Sequence, residues 1–367
     1  MKILLLGEYS NLHWTLAQGL RALGHSVVVA SNGDKFKNYK RDIDLSRKSD
    51  NIIDTLKYAY QLSKNFRPFK GFDIVQIINP LFLDLKPYKN LSAFNYLKKH
   101  NGKIFMGAFG NDAYWLKACL DKNTFRYSEF DIPNQSNYLN SAKDIIKVWT
   151  DEDKVTVNNE IAERSDGIIA CLYEYFISYR PQFEKKLTYI PAPINTSEIA
   201  FTQRGKDPSK VRLFIGIQKQ RNEIKGTDIL YKCLQEVQSK YPNECIIHKA
   251  ESVPYDEYIT MRDQSDILLD QLYSYTPGMN ALTAMAQGIL VVGGGEPEPY
   301  ELLNEKNNRP IINVLPSEED IFNKLENLIL NRKQIPQQSI NSRLFVEQHH
   351  DYLKIAQQYL DTWSKFD

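Results

Sequence analysis

Three cations stand within seven positions in Gly216-Ile217-Gln218-Lys219-Gln220-Arg221-Asn222-Glu223-Ile224-Lys225-Gly226, just where an apolar strand-like run ends. A departing diphosphate gathers negative charge, and fixed Lys and Arg side chains can meet that charge without a metal. A second segment, Ser265–Glu301, reads as a buried strand (Ile267–Leu272), a loop with Pro277 and Gly278, a helix over about Met279–Gln287, and a strand (Ile289–Val292) that runs into Gly293-Gly294-Gly295. Small residues Ala281, Ala284, Ala286 and Gly288 let that helix lie close to a sheet. Its start after Gly278 leaves backbone N–H groups near Gly278, Met279 and Asn280 for a phosphate, at the positive end of the helix dipole. Two further side chains could act on an acceptor. Asp112 follows Met106-Gly107-Ala108-Phe109-Gly110-Asn111 and could orient or deprotonate a hydroxyl; it could equally cap the helix Ala113–Leu120. His13, just after the first strand, could hydrogen-bond a donor phosphate or an acceptor, although a buried structural histidine is the plainer reading.

The loop with Gly278, followed by Ala284-Met285-Ala286-Gln287-Gly288 and a hydrophobic strand, resembles the donor-site signature of retaining GT-B glycosyltransferases of family 4. Asp270-Gln271-Leu272 is similar to the D-Q-L that closes the preceding strand in one subgroup. The resemblance makes Lys225 the second member of the family's basic pair and Lys219 or Arg221 the first. It counts Gly216 with the donor-binding residues, lets Gly7 bring the first loop to the donor, and matches Asp112 to the G-x-D of some members. Where the family carries two glutamates separated by seven residues, this chain has Tyr275 and Thr283. The second of those glutamates usually grips the ribose diol, and Thr283 offers only one hydroxyl. Three outcomes stand open: Glu296 or Glu298 substitutes, the ribose is held more weakly, or catalysis is lost while the fold persists.

Composition narrows the classes. The chain has 367 residues, 42% of them apolar, enough for two domains with separate cores. A net charge of +1 gives no electrostatic case for nucleic acid. Cys119, Cys171, Cys233 and Cys245 lack metal or disulfide spacing, which suits a reducing cytoplasm. The opening apolar run stops at Gly7-Glu8 with no cleavage site after it, and no run approaches a membrane span. No P-loop, H-E-x-x-H or nucleophile elbow is present, and His349-His350 would need further ligands to hold zinc. Gly7-Glu8-Tyr9-Ser10-Asn11 is not a G-x-G-x-x-G, which argues against a dinucleotide-binding dehydrogenase. The stretch Asp34–Lys48 mixes Lys35, Lys37, Lys40, Arg41, Arg47 and Lys48 with Phe36 and Tyr39. It could touch an anionic membrane or a phosphorylated acceptor, or be an ordinary solvated face.

The elements that must position these groups alternate. Strands are expected at Ile3–Leu6, Val27–Ala30, Ile74–Ile78, Ile104–Ala108, Gly167–Cys171 and Thr188–Ile190, with a helix marked by Leu12, Leu16, Leu20 and Leu23. Pro191 and Pro193 stiffen a connection, and a second alternation follows. It has strands at Arg212–Ile217, Cys245–His248 and Ile311–Val314, and helices at about Thr227–Ser239 and Tyr255–Gln264. Segment Phe125–Lys147 reads as an insertion over one edge of the first domain. From Pro336 the chain is helical in pattern, with Phe345, Tyr352, Ile355, Tyr359 and Trp363 as anchors. The expected fold is α/β, GT-B in architecture, with two Rossmann-like doubly wound domains facing across a cleft. Residues 1–195 form the acceptor-side domain and 196–339 the donor-binding domain, with a terminal helix over about 340–367 packing back on the first.

The resemblance implies a glycosyltransferase of hexosyltransferase type in polysaccharide biosynthesis, retaining and metal-independent. It would move a sugar from a UDP- or GDP-sugar co-substrate, with no further cofactor, to a glycan or polyprenyl-linked acceptor. Its expected location is the cytoplasm, with peripheral contact at the inner face of the membrane left open. Retention would use the donor's own phosphate as base, which accounts for the lack of a nucleophile. The alternatives are a catalytically inactive GT-B protein serving as binding partner or scaffold, and a nucleotide-sugar epimerase, whose expected acidic and histidine cluster is not visible.

Overall fold

The computed structural model describes residues 1–47, 49, 51–133, 140–207 and 209–366. The chain divides into two units. The first comprises 1–117, 147–195 and 351–367, the second 118–146 and 196–350.

In the first unit β1 (Lys2–Leu6), α1 (Leu12–Ala22), β2 (Ser26–Ser31), β3 (Ile43–Asp44), α2 (Ile52–Phe66), β4 (Ile74–Ile77), α3 (Pro87–His100) and β5 (Lys103–Ala108) follow in turn. The chain leaves this unit along α4 (Ala113–Leu120) and returns along α5 (Asn140–Trp149). It then forms α6 (Glu152–Arg164), β6 (Gly167–Ala170), α7 (Tyr173–Phe183) and β7 (Leu187–Tyr189). The seven strands are parallel in the order β3-β2-β1-β4-β5-β6-β7. Ile3, Leu4, Leu5 and Leu6 are all fully buried, as befits a parallel strand covered on both faces.

The second unit carries β8 (Val211–Ile217), α8 (Asn222–Lys225), α9 (Thr227–Lys240), β9 (Cys245–Glu251), α10 (Tyr255–Asp263), β10 (Ile267–Leu269) and α11 (Met279–Ala286). It continues through β11 (Leu290–Gly293), α12 (Pro297–Leu302), β12 (Ile312–Asn313), α13 (Glu318–Leu330) and α14 (Ile335–His349). Its five parallel strands run β12-β11-β10-β8-β9. Leu213, Ile215, Leu269, Leu290 and Val292 from the sheet meet Leu230, Leu234, Ile321 and Leu325 from α9 and α13 in one core. Asp266, fully buried, ties β10 to β8 by accepting from the Arg212 backbone N–H at 2.9 Å and from its guanidinium at 3.0 Å.

The last helix, α15 (Tyr352–Lys365), belongs to the first unit, where it lies against α1. A side chain at Gly19 would meet the Tyr352 carbonyl oxygen at 2.4 Å, so the glycine sets that close approach. The terminal segment is therefore two helices. Asp351 interrupts it by accepting from the N–H groups of Leu353 and Lys354 and starting α15 afresh. Phe345, expected as an anchor on the first domain, is buried in α14 of the second unit. Residues 340–350 stay there with it, and so do positions 125–146 of the segment 125–147 that was read from the sequence as an insertion over the first domain. The strand expected over Ile267–Leu272 ends at Leu269, and residues 134–139 and Lys48 lie outside the described residues. No helix among the described residues is long and apolar enough to cross a membrane.

Candidate functional site

In the second sheet the chain lays β9 on one side of β8 and β10 on the other, so the strand order reverses between β8 and β10. The carboxyl ends of strands at such a reversal are where open α/β sheets take their ligands, because the two following loops diverge there. Both segments singled out for chemistry begin at this edge. After β8, Lys219 and Arg221 lie in a short turn and Lys225 ends α8, a single turn not foreseen ahead of α9. Gly226 follows with a φ of +64°, a left-handed conformation that favours glycine. A Cβ there would also come within 2.6 Å of Leu272. The Leu272 N–H donates to the Lys225 carbonyl at 2.9 Å, so the loops after β8 and β10 are joined backbone to backbone. Lys219 is exposed and pairs loosely with Glu251 at 3.6 Å, Arg221 is exposed, and Lys225 is half-buried. Gly216 lies beneath the Tyr258 ring, which a Cβ would strike at 2.4 Å, so packing inside the unit already requires a glycine there.

The loop after β10 leads to Gly278 and α11. The N-cap residue of α11 is Gly278, which has no side chain with which to cap the N–H groups of the first turn. Neither backbone angle nor packing requires glycine at 278: its φ is −79° and an added Cβ would meet only Gln271 Nε2, at 3.6 Å. Its absence of a side chain keeps open the space before the helix. The Asn280 side chain is committed inward, donating to Asp270 Oδ1 at 3.0 Å and to the Tyr258 hydroxyl at 2.9 Å. Buried Arg262 donates to Asn280 Oδ1 at 3.3 Å and Gln287 Oε1 at 2.8 Å, fixing α11 from below. What Asn280 can offer a ligand is its backbone. The Thr283 hydroxyl, half-buried, donates to the Met279 carbonyl of its own helix at 2.7 Å.

Glu296 sits in a cluster that the sequence reading missed. One carboxylate oxygen accepts from the Tyr127 hydroxyl at 2.6 Å and the other from Arg126 Nη2 at 2.7 Å. Arg126 also binds Glu298 and lies 5.0 Å over the Tyr275 ring, and its backbone N–H donates to the Tyr275 hydroxyl at 2.6 Å. The Phe125 and Tyr127 rings flank Tyr275 at 5.6 and 5.0 Å. A three-residue strap thus crosses the loops after β10 and β11. Glu296, proposed from sequence as a substitute ribose ligand, has both oxygens engaged within the protein. The aromatic–cation–aromatic run at 125–127 was the available signal, but nothing local names its partners.

The first unit holds the remaining residues. Gly7 has a φ of +84°, and a Cβ would strike Ile78 at 2.2 Å, so its glycine answers to the β1–β4 packing of this unit. Glu8, buried, accepts from the N–H groups of His13 and Trp14 at the start of α1, and burial pushes its carboxyl up to about 8. His13 Nδ1 lies 2.8 Å from the Gly7 carbonyl, which can only accept, so Nδ1 carries the proton. Nε2 is buried without a partner among the described residues, and burial pushes the imidazole pKa down to about 4. His13 is accordingly a buried, neutral histidine. Asp112 is fully buried; it accepts from the Trp115 N–H at 2.9 Å and the Tyr179 hydroxyl at 2.8 Å, and burial lifts it to about 6. The geometry is that of a helix cap, with both oxygens occupied.

Among the described residues no three His, Cys, Asp or Glu side chains gather to hold a metal ion. No family model matches the chain, and no curated protein matches its sequence. Solved structures do match. Sucrose-phosphate synthase from Thermosynechococcus elongatus gives a TM-score of 0.64 at 12% identity, over 100% of this chain and 99% of that one. HepE of Anabaena, solved with UDP and glucose, gives 0.60 at 12% identity over 100% of both chains. WaaG, a glycosyltransferase involved in lipopolysaccharide biosynthesis, gives 0.59 at 13% identity, over 98% of this chain and 99% of that one. At such identities the likeness is one of fold. Two parallel-sheet, Rossmann-like domains make this a GT-B fold.

Proposed function

We propose that the chain is a glycosyltransferase that takes its sugar from a nucleotide diphosphate donor bound at the carboxyl edge of the second sheet. The observation that carries this reading is the junction at the β8/β10 reversal, where the segment holding Lys219, Arg221 and Lys225 is bonded to the loop that leads through Gly278 into α11. Lys225, with Lys219 or Arg221, meets the charge of the diphosphate, and the N–H groups near Gly278, Met279 and Asn280 take its oxygens. In the manner of retaining family 4 enzymes, the bond from the sugar's anomeric carbon to the diphosphate oxygen breaks. The acceptor oxygen bonds to that carbon on the same face, and the acceptor's proton passes to the departing phosphate. No metal enters this scheme. UDP, held by HepE in its solved complex, is the first donor nucleotide to test, and a glycan or lipid-linked hydroxyl is the acceptor class.

One observation favours a second reading. Positions 275 and 283 carry no carboxylate, and Glu296 is spent on Arg126 and Tyr127, so the ribose diol lacks its usual double acceptor. A protein that binds nucleotide diphosphate without turning it over, acting as a partner to another enzyme, would look like this.

Titration calorimetry with UDP, GDP and the corresponding nucleosides, with UDP-glucose and GDP-glucose assayed alongside for released sugar, separates the outcomes. Diphosphates should bind to the wild type, and Lys225→Ala should weaken them by roughly 1.5–3 kcal/mol while leaving nucleoside affinity unchanged, because the lost bond is to phosphate. Binding with sugar release supports the enzyme, and binding without it the partner. A wild type that takes up no nucleotide diphosphate refutes both.

A further inference from the structure

Helix α2 presents a face that the first unit does not cover. Ile52, Ile53, Leu56 and Tyr60 are 79, 65, 66 and 72% exposed, while Tyr58 and Leu62 on the other side are buried in the unit. At 3.6 residues per turn the four exposed side chains fall within one sector about 100° wide. Exposed Lys57 and Lys64 stand at its border. Single exposed apolar residues are ordinary; four of this size on one helical face are not.

Charge distinguishes what this face fits. Between positions 34 and 70 the chain carries ten Lys and Arg against five Asp and no Glu, a net of +5, whereas its total is +1. Positions 34–47 hold five of these cations against three Asp, a net of +2, with Lys37 and Arg41 paired to Asp34 and Asp44, and this part is fastened to the helix. The Arg47 guanidinium donates to the Thr55 hydroxyl at 2.6 Å, and the Gln61 amide donates to the Asp44 carbonyl at 2.8 Å. Lys57 faces Asp54 only at 4.0 Å and is three-quarters exposed, so its charge remains available to an outside partner. An apolar sector edged by lysines, on a helix too short and too polar to cross a bilayer, is the arrangement that lies in a lipid interface. The apolar side chains enter the acyl boundary and the ammonium groups stay at headgroup level. Two copies meeting through this face would bring like charges together.

We propose that α2 and the basic stretch 34–47 dock the first unit on an anionic lipid surface. The inference concerns this unit alone and does not depend on the donor reading. The test is cosedimentation of the full chain with phosphatidylcholine vesicles that contain phosphatidylglycerol, against pure phosphatidylcholine. The wild type should bind the anionic vesicles, lose affinity as salt is raised, and bind the neutral ones at least roughly tenfold more weakly. The double variant Ile53→Gln/Leu56→Gln should lose roughly tenfold or more, because two large apolar side chains no longer leave water. Lys57→Gln/Lys64→Gln should lose a similar factor on anionic vesicles only. All four side chains are exposed, so circular dichroism should be unchanged, and Leu330→Gln, exposed on the second unit, should bind as wild type. A wild type that ignores anionic vesicles overturns the proposal. So does equal binding by the Ile53/Leu56 variant, or a dimer that this variant dissociates while no vesicle is bound, which would assign the face to a second copy.

Discussion

Removing Arg126 should loosen the strap that holds the loops after β10 and β11, and the size of the effect can be worked from its surroundings. The Glu296 side chain is 6% exposed and that of Arg126 is 52% exposed. A hydrogen bond to a charged group contributes roughly 1.5–3 kcal/mol when its partner is buried. With half of the guanidinium in water, screening reduces the pair to about 1 kcal/mol. Loss of the guanidinium from the Tyr275 ring adds about 0.5–1 kcal/mol, giving roughly 2 kcal/mol for Arg126→Ala. The Tyr127 hydroxyl still donates to Glu296, so the carboxylate is not stranded and the cost stays below that of an isolated buried charge. Trp14, Trp115, Trp149 and Trp363 all belong to the first unit, and none lies in the strap or the loops it crosses. The assay is urea unfolding followed by far-ultraviolet circular dichroism for wild type, Arg126→Ala, Glu296→Gln and the double variant. A coupling of about 1 kcal/mol is expected. Single effects that add within about 0.3 kcal/mol would mean the ion pair contributes nothing.

Two further outcomes follow from packing and charge. Gly19→Ala places a Cβ against the Tyr352 carbonyl and should cost roughly 1–3 kcal/mol by forcing α1 from α15, seen as a lower urea midpoint in the fluorescence of Trp363. Glu305 accepts from the Asn308 N–H, His349 Nε2 at 2.7 Å and the Asn307 N–H, which hold its carboxyl down at about 2 against an ordinary 4.5. The folded chain therefore binds that proton less readily than the unfolded one. The stability Glu305 contributes is complete above pH 4.5 and falls away toward pH 2, so Glu305→Gln should flatten the urea midpoint over that interval.

The sheets were legible in the sequence because parallel strands buried on both faces leave continuous apolar runs, such as Leu4–Leu6 and Leu290–Val292. Where a strand is only two residues long, as at Ile43–Asp44, no such run exists to read. Helix α2 was invisible for the opposite reason: Ile52, Ile53, Leu56 and Tyr60 face outward, so its apolar pattern does not mark a core-facing stripe. The cations at 219–225 and the start of α11 were legible because each is a local motif. Their meeting was not local, since it depends on the Leu272–Lys225 bond across the sheet edge. The strap was illegible altogether, because 170 positions separate Arg126 from Glu296.

That strap bears on positions 275 and 283, where the enzymes this chain resembles carry glutamates, and the two differ physically. Tyr275 is a structural residue. Its hydroxyl takes the Arg126 N–H, its carbonyl takes the Glu296 N–H at 3.2 Å, and three side chains enclose its ring. Tyr275→Glu would set a third carboxylate beside Glu296 and Glu298 with one guanidinium to answer all three, and repulsion would open the loop. The tyrosine and the strap thus belong together, and a glutamate placed at 275 alone would damage the fold before it could help a ligand. Thr283 is placed differently, since its side chain is half-buried and its hydroxyl donates to the Met279 carbonyl of its own helix. A carboxylate at position 283 would disturb only a back-bond of the kind that slightly weakens helices. The loss at 275 is compensated within the protein. The loss at 283 is not, so on the proposed donor reading Thr283→Glu is the substitution that should tighten nucleotide binding at this edge.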